Sequence, residues 1–172
     1  LIFGIGKFEA LMIVLGLILI CLLAIAFFSA GEMAFIAANR IRLRHLAESG
    51  HQTAARYLEA FSHPEQILST AKMGVPIAHI VAASVATWQL LPALGPSAAA
   101  LVVTVVLTPL MLTLGEVIPK AIAQEWATGL ILRLFRPLTW AGWVLRPLTW
   151  AASAIVEGVL LDRARAFYGV PY

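Results

Sequence analysis

A chain of 172 residues with 61% hydrophobic and only 12% charged residues departs from soluble domains, which average about 25% charged residues. With a mean hydropathy of +0.91, this composition excludes an ordinary soluble fold and predicts an all-α integral membrane domain. The net charge of +3 indicates a basic collar against anionic lipid and does not require nucleic acid as a partner. At roughly 20 residues per crossing, the chain supplies about three spanning helices, which we expect to form one domain over residues 1–172.

The first apolar run covers residues 10–38. It is longer than the apolar part of a signal peptide and lacks a small-residue cleavage context, so we predict a spanning helix. The last part of the run contains Ser29, Gly31 and Glu32. Small residues let neighbouring helices approach closely, and Ser29 and Glu32, three apart, fall on nearly the same helix face.

A basic segment follows over residues 40–64, with arginines at its start. By the positive-inside rule this segment is cytoplasmic, which places the amino terminus outside. A second apolar run over residues 65–91 ends in an uncharged turn, Pro92–Pro96, that suits the outer face. The third run, residues 97–120, then returns to the cytoplasmic side.

Arginine and tryptophan alternate over residues 125–172, a pattern typical of helices lying in a membrane interface. The sequence Arg-Pro-Leu-Thr-Trp-Ala occurs at 136–141 and again at 146–151. Because each proline should break or bend a helix, we predict two short amphipathic juxtamembrane helices on the cytoplasmic side. A fourth spanning helix is the alternative.

Glu116 lies at the inner end of the third run, directly after Gly115 and shortly before Pro119. A carboxylate at such a depth costs about 2.5 kcal/mol or more, so it indicates a cation path, a proton relay or a structural ion pair. Pro119 cannot donate a hydrogen bond to the Gly115 carbonyl, which leaves that oxygen available. With the hydroxyls of Ser29 and Ser69, these oxygen donors suit hard cations such as magnesium, sodium and calcium.

Each of these residues also has a purely structural interpretation. The serine hydroxyls could bond to their own helices, and Glu116 could pair with Lys72 or Lys120. Glu32 could pair with Arg40 or Lys72, or lie beside water. His79 is more typical of a hydrogen-bonded interior histidine than of a metal ligand.

Three blocks of this sequence resemble the transmembrane domain of the cyclin-M/CorC magnesium transporters. They are Phe27-Phe28-Ser29-Ala30-Gly31-Glu32-Met33-Ala34, Leu68-Ser69-Thr70 with Gly74, and Gly115-Glu116-Val117-Ile118-Pro119-Lys120. The resemblance implies a homodimer with three spanning helices per subunit and cytoplasmic juxtamembrane helices. It also implies cytosolic regulatory domains that bind ATP, which are absent from this chain.

The same resemblance implies that Ser29, Ser69, Gly115 and Glu116 are the magnesium ligands. Glu32, Thr70 and His79 are candidates for a surrounding shell or for the ion path. Val75 and His79 stand where relatives commonly carry asparagines, so this chain lacks two amide ligands of the usual pattern.

We therefore expect a multi-pass inner-membrane protein that exports magnesium by alternating access, with sodium as a candidate coupling ion. The alternative is a membrane module that senses magnesium or anchors a cytosolic partner without moving ions. An enzyme is not expected, because His-Glu-x-x-His, Gly-x-Ser-x-Gly and phosphate-loop motifs are all missing.

Overall fold

The computed structural model describes residues 6–168, although the side chains of residues 7, 8, 149 and 151–168 are outside the described part. Within residues 6–168 the secondary structure is entirely helical, which confirms the predicted all-α class. The α-helices are α1 (Lys7–Ala37), α2 (Arg40–Glu48), α3 (Gln52–Phe61), α4 (Glu65–Val102), α5 (Thr108–Leu112), α6 (Ile118–Glu125) and α7 (Ala127–Tyr168). Two π-helical turns, Val103–Leu107 and Thr113–Val117, precede α5 and α6.

Two segments are long and apolar enough to cross a membrane, namely Glu9–Ala37 and the 61-residue stretch Glu65–Glu125. The second is not one straight rod, because Gly95 has φ 74° and ψ 170° inside α4. Met111 packs with Ala82 in one apolar core, whereas a straight helix would separate them by roughly 40 Å. The chain therefore folds back at Gly95, one residue after the helical Leu94.

Helix α1 contacts both arms of this hairpin. In its middle, Cys21 and Ile25 pack with Ala78 of α4 and Met111 of α5. These contacts bury the alanine face of α4, because Ala78, Ala82 and Ala86 are only 8%, 0% and 6% exposed within one chain. A face of small residues can also serve as a contact between subunits, but within this chain Ala78 and Ala82 pack against α1.

A second core forms where α1 ends and α2, α3 and α7 meet. Its centre is aromatic: Phe35 and Tyr57 pack edge to face, and the Tyr57 hydroxyl donates a 2.8 Å hydrogen bond to the Phe35 carbonyl. Burial raises the pKa of Tyr57, an effect that the positive charge of Arg40 partly opposes. The Arg40 guanidinium stacks 3.6 Å from the centre of the Phe61 ring. The segment predicted to be cytoplasmic is thus fixed to the end of α1.

Helix α7 differs from the prediction. It continues through Pro137 and Pro147 as one helix, so the expected break into two juxtamembrane pieces is wrong for residues 127–168. Packing explains the continuity of the helix at Pro137, because Ile131, Phe135 and Leu138 on either side of this proline are buried in the second core. This burial outweighs the roughly 3 kcal/mol that a proline costs inside a helix. Helix α7 is not among the candidate spans found in the described residues.

Candidate functional site

Three charged side chains meet between α1 and α6. The Lys120 ammonium lies 2.6 Å from Glu116 Oε1 and 3.6 Å from Glu32 Oε2. The side chains of Glu32 and Glu116 are only 16% and 26% exposed. Sequence spacing suggested Lys72 or Lys120 as the partner of Glu116, and the structure selects Lys120. Glu32 pairs with the same lysine, rather than with Arg40 or Lys72.

The two carboxylates come together because α1 lies parallel to the returning arm of the hairpin. Ile25 contacts Gly115 and Glu32 contacts Lys120. Farther along, the backbone N–H of Asn39 donates a 3.0 Å hydrogen bond to the Thr128 hydroxyl. Residue numbers increase in the same direction on both sides of these three contacts, so the two segments run parallel.

Ser29 lies between the first two of these contacts, one helical turn after Ile25 and three residues before Glu32. Its side chain is 0% exposed, and its hydroxyl has no hydrogen-bond partner. A buried hydroxyl without a partner costs about 1–3 kcal/mol. The usual structural explanation for a membrane serine, a bond to the preceding turn, therefore does not apply here. An oxygen at this position could be satisfied by a ligand.

Gly115 and Glu116 belong to the π-helical turn Thr113–Val117. The wider turn closes with the N–H of Ile118 donating to the Thr113 carbonyl, and Pro119 follows without an N–H to donate. The carbonyls of Leu114 and Gly115, five and four residues before Pro119, therefore each lose one potential donor. Gly115 is buried against α1, where an added Cβ would lie 2.9 Å from Ile25 Cγ2. Only glycine permits this close approach of the two backbones.

The predicted residues of α4 have different surroundings. The Ser69 hydroxyl donates to the Gln66 carbonyl at 3.1 Å, and the Thr70 hydroxyl donates to the same oxygen at 2.8 Å. Thr70 faces Gly142 of α7, where an added Cβ would lie 2.9 Å from its hydroxyl. No hydrogen bond among the described residues joins Ser69 to Ser29 or Glu116. His79 Nδ1 lies 3.2 Å from the Val75 carbonyl oxygen, consistent with an interior histidine.

No group of three or more His, Cys, Asp or Glu side chains that could hold a metal occurs in the part of the chain that the structure describes. A cation site here would draw on hydroxyl and carbonyl oxygens beside the carboxylates of Glu116 and Glu32. Such donors match hard cations better than zinc or copper.

Comparison with known proteins identifies the family of this chain. The model of the cyclin M transmembrane N-terminal domain matches residues 16–167, which include most of α1, the hairpin and nearly all of α7. The chain belongs to the cyclin M family. The resemblance carried by the three sequence blocks is thereby confirmed, and the matched range contains every candidate residue.

Bacterial relatives of this cyclin M domain are longer proteins. An UPF0053 protein of Haemophilus influenzae is 29% identical over 134 residues, covering 72% of this chain and 32% of the relative. The UPF0053 inner membrane protein YfjD of Escherichia coli is 34% identical over 98 residues, covering 57% of this chain and 23% of the relative. The chain thus spans about a third or less of these relatives.

Sequence reasoning missed the double role of Lys120. The spacing of four residues from Glu116 was a sufficient signal for that pair. The contact with Glu32 had no local signal, because it depends on the register between two segments that are distant in sequence. The π-helical geometry around Gly115 was also missed, although Pro119 correctly indicated an irregular turn.

Proposed function

We propose that this cyclin M domain transports magnesium, with the dication bound between α1 and the returning arm of the hairpin. Ser29, Glu116 and the Gly115 carbonyl supply oxygens there, and Ser69 is included as a ligand whose hydroxyl must first release the Gln66 carbonyl. The observation that carries the proposal is the buried Ser29 hydroxyl without a partner, located in the same stretch of α1 as Glu32. The cyclin M family match supports it.

Lys120 has a defined part in this proposal. Without magnesium, its ammonium neutralises Glu116 and supplies the positive charge that the buried acid requires. An arriving dication takes over Glu116, and the ammonium shifts towards Glu32, which it already approaches at 3.6 Å. The formal charge of Glu32, Glu116 and Lys120 together is −1 without the ion and +1 with it, so the site holds only one net charge in either state, which limits the electrostatic cost of each step.

The proposed site should prefer magnesium over calcium. Magnesium needs near-octahedral oxygen geometry at roughly 2.0–2.1 Å, whereas calcium takes more ligands at longer distances. Close packing of Gly115 against Ile25 limits the expansion of the site. With a single carboxylate, binding should be moderate, which permits release.

The membrane arrangement follows from the hairpin. We propose three crossings, by α1 and by the two arms on either side of Gly95, in a bacterial inner membrane with the amino terminus outside. Helix α7 and the α2–α3 segment then lie on the cytoplasmic side. We also propose a homodimer, with regulatory ATP-binding domains in the longer natural protein, alternating access as the mechanism of export, and sodium as the coupling ion. No enzymatic role is proposed.

A second function is favoured by the same ion pairs. If Lys120 never leaves Glu116, the ion pairs of Lys120 with Glu116 and Glu32 serve only to stabilise the fold. The domain then senses magnesium or anchors a cytosolic partner without transport. The 2.6 Å contact of Lys120 with Glu116 is the observation that supports this alternative.

A thermal-unfolding experiment tests the site. Magnesium that binds only the folded protein should stabilise it by about 2.7 kcal/mol at one hundred times the dissociation constant. Glu116→Gln removes the carboxylate and should abolish this stabilisation, Ser29→Ala should weaken it less, and Glu32→Gln should leave most of it. Glu125→Gln, at an exposed position of α6, is the matched control and should respond as the wild type does. A full magnesium effect in Glu116→Gln would refute the site.

A further inference from the structure

Two adjoining hollows lie where α3 faces α7, and Ser69 and Thr70 of α4 line the first hollow but not the second. Their volumes are about 870 and 880 Å³, and Arg56 of α3 and Arg136 of α7 line both of them. The two arginines are distant in sequence and come from different helices. Their meeting at one place is a property of the fold and not of a local charge run.

Neither guanidinium has an ionic partner among the described residues, where the ion pairs involve other side chains. Carboxylates are nevertheless close to the first hollow, because Glu59 and Glu65 line it. The lining of the second hollow contains no acidic residue. The second hollow is therefore the position where two positive charges lack a counter-ion.

Apart from the two arginines and Thr139, the lining of the second hollow is apolar. Phe27 of α1, Trp140 and Val144 contribute to its lining. Phe27 belongs to a segment apolar enough to span a membrane, whereas Arg56 lies in the basic segment that follows it. The second hollow thus lies at the boundary between an apolar segment and a basic segment. Tryptophan at such a boundary is typical of the membrane interface, and Trp140 is 78% exposed.

We propose that this hollow binds the headgroup of an anionic phospholipid, with the phosphate between Arg56 and Arg136 and an acyl chain along Phe27, Trp140 and Val144. Guanidinium groups bind phosphate with two parallel hydrogen bonds, which makes arginine the preferred residue for such a site. A free phosphate would satisfy the arginines but leave the apolar wall exposed. A phospholipid covers both parts, so the structure favours the lipid.

Native mass spectrometry of the purified protein tests this proposal. Detergent-solubilised protein is mixed with equal amounts of phosphatidylglycerol and phosphatidylcholine, and the retained lipid is counted. The wild type should retain phosphatidylglycerol preferentially. Each Arg→Gln change should lower that preference about five-fold, since one arginine near a membrane surface contributes about 1 kcal/mol. The double variant Arg56→Gln/Arg136→Gln should bind the two lipids almost equally.

Arg133→Gln is the matched control, because Arg133 is exposed on α7 but lines neither hollow. It should keep the wild-type preference, and Arg56→Lys/Arg136→Lys should keep part of it. An unchanged preference in the double glutamine variant would overturn the proposal, as would an equal loss in Arg133→Gln. Excess inorganic phosphate should not displace the lipid; if it does, the hollow is a phosphate site and the lipid assignment is wrong.

Discussion

At the scale of single residues, the site is determined by which groups have partners and which do not. Lys120 bridges Glu32 and Glu116, whereas the buried Ser29 hydroxyl has no partner. The sequence indicated Glu116 as a candidate and gave pairing with Lys72 or Lys120 as one alternative, because an acid at the end of an apolar run needs a counter-ion. It could not predict the isolation of Ser29, since that depends on which helix faces its side chain.

Lys120→Met is the first prediction at this scale. Without magnesium, the melting temperature should fall, because Glu116 and Glu32 lose their shared cation; a loss of about 1–3 kcal/mol is expected. With magnesium, the thermal shift should exceed that of the wild type, because the ion no longer competes with the ammonium. Differential scanning fluorimetry measures both effects.

Lys72→Met provides the control, because Lys72 is exposed on α4. Lys72→Met should not change the melting temperature by a comparable amount, either without magnesium or with it. A magnesium response in Lys120→Met that is smaller than in the wild type would mean that Lys120 supports the ion and does not compete with it.

At the scale of the elements, the sequence predicted only part of the effect that the prolines have on the helices. Pro109 and Pro119 each stand at the start of an α-helix, directly after a π-helical turn. In contrast, Pro137 is accommodated inside α7, where the flanking side chains are buried. The same residue type thus has different effects, because the outcome depends on the packing that surrounds it. Periodicity along one chain does not reveal that packing.

The α1–α4 contact gives a prediction at this scale. Gly74 is buried, and an added Cβ would overlap the Phe28 ring. Gly74→Ala should therefore destabilise the protein by about 1–3 kcal/mol, as overpacking does in a close-packed interior. Thermal unfolding measures the loss, and the additional change Phe28→Leu should restore part of it.

Gly129→Ala on α7 is the matched control. An added Cβ at Gly129 has no atom within 4 Å, and alanine favours a helix by up to about 1 kcal/mol. This variant should be as stable as the wild type or slightly more stable. Equal melting temperatures for the two alanine variants would contradict the tight α1–α4 packing.

At the scale of the whole molecule, composition correctly predicted a helical membrane protein, and turn residues correctly located the reversal near Gly95. Small residues on α4 indicated close helix contact, but they could not indicate whether the neighbour was α1 or a second subunit. The structure assigns Ala82 to the contact with α1 and leaves Ala100 exposed.

The exposed Ala100 and the buried Ala82 provide a test of the proposed homodimer. Ala100→Cys places a thiol on the exposed side of the returning arm, and oxidative cross-linking in native membranes should give a covalent dimer if that side forms the interface. Ala82→Cys, at a position that is 0% exposed, should give none. Monomer alone from both variants would exclude a dimer through the returning arm near Ala100.

Magnesium flux into proteoliposomes is the most direct test of the central claim. The protein is reconstituted with a magnesium-sensitive dye inside the vesicles, and flux is recorded under imposed sodium and voltage gradients. We predict magnesium flux in the wild type and in Glu125→Gln, and none above protein-free vesicles in Glu116→Gln. Absence of flux in a wild type that is still stabilised by magnesium would contradict transport and identify the domain as a magnesium sensor.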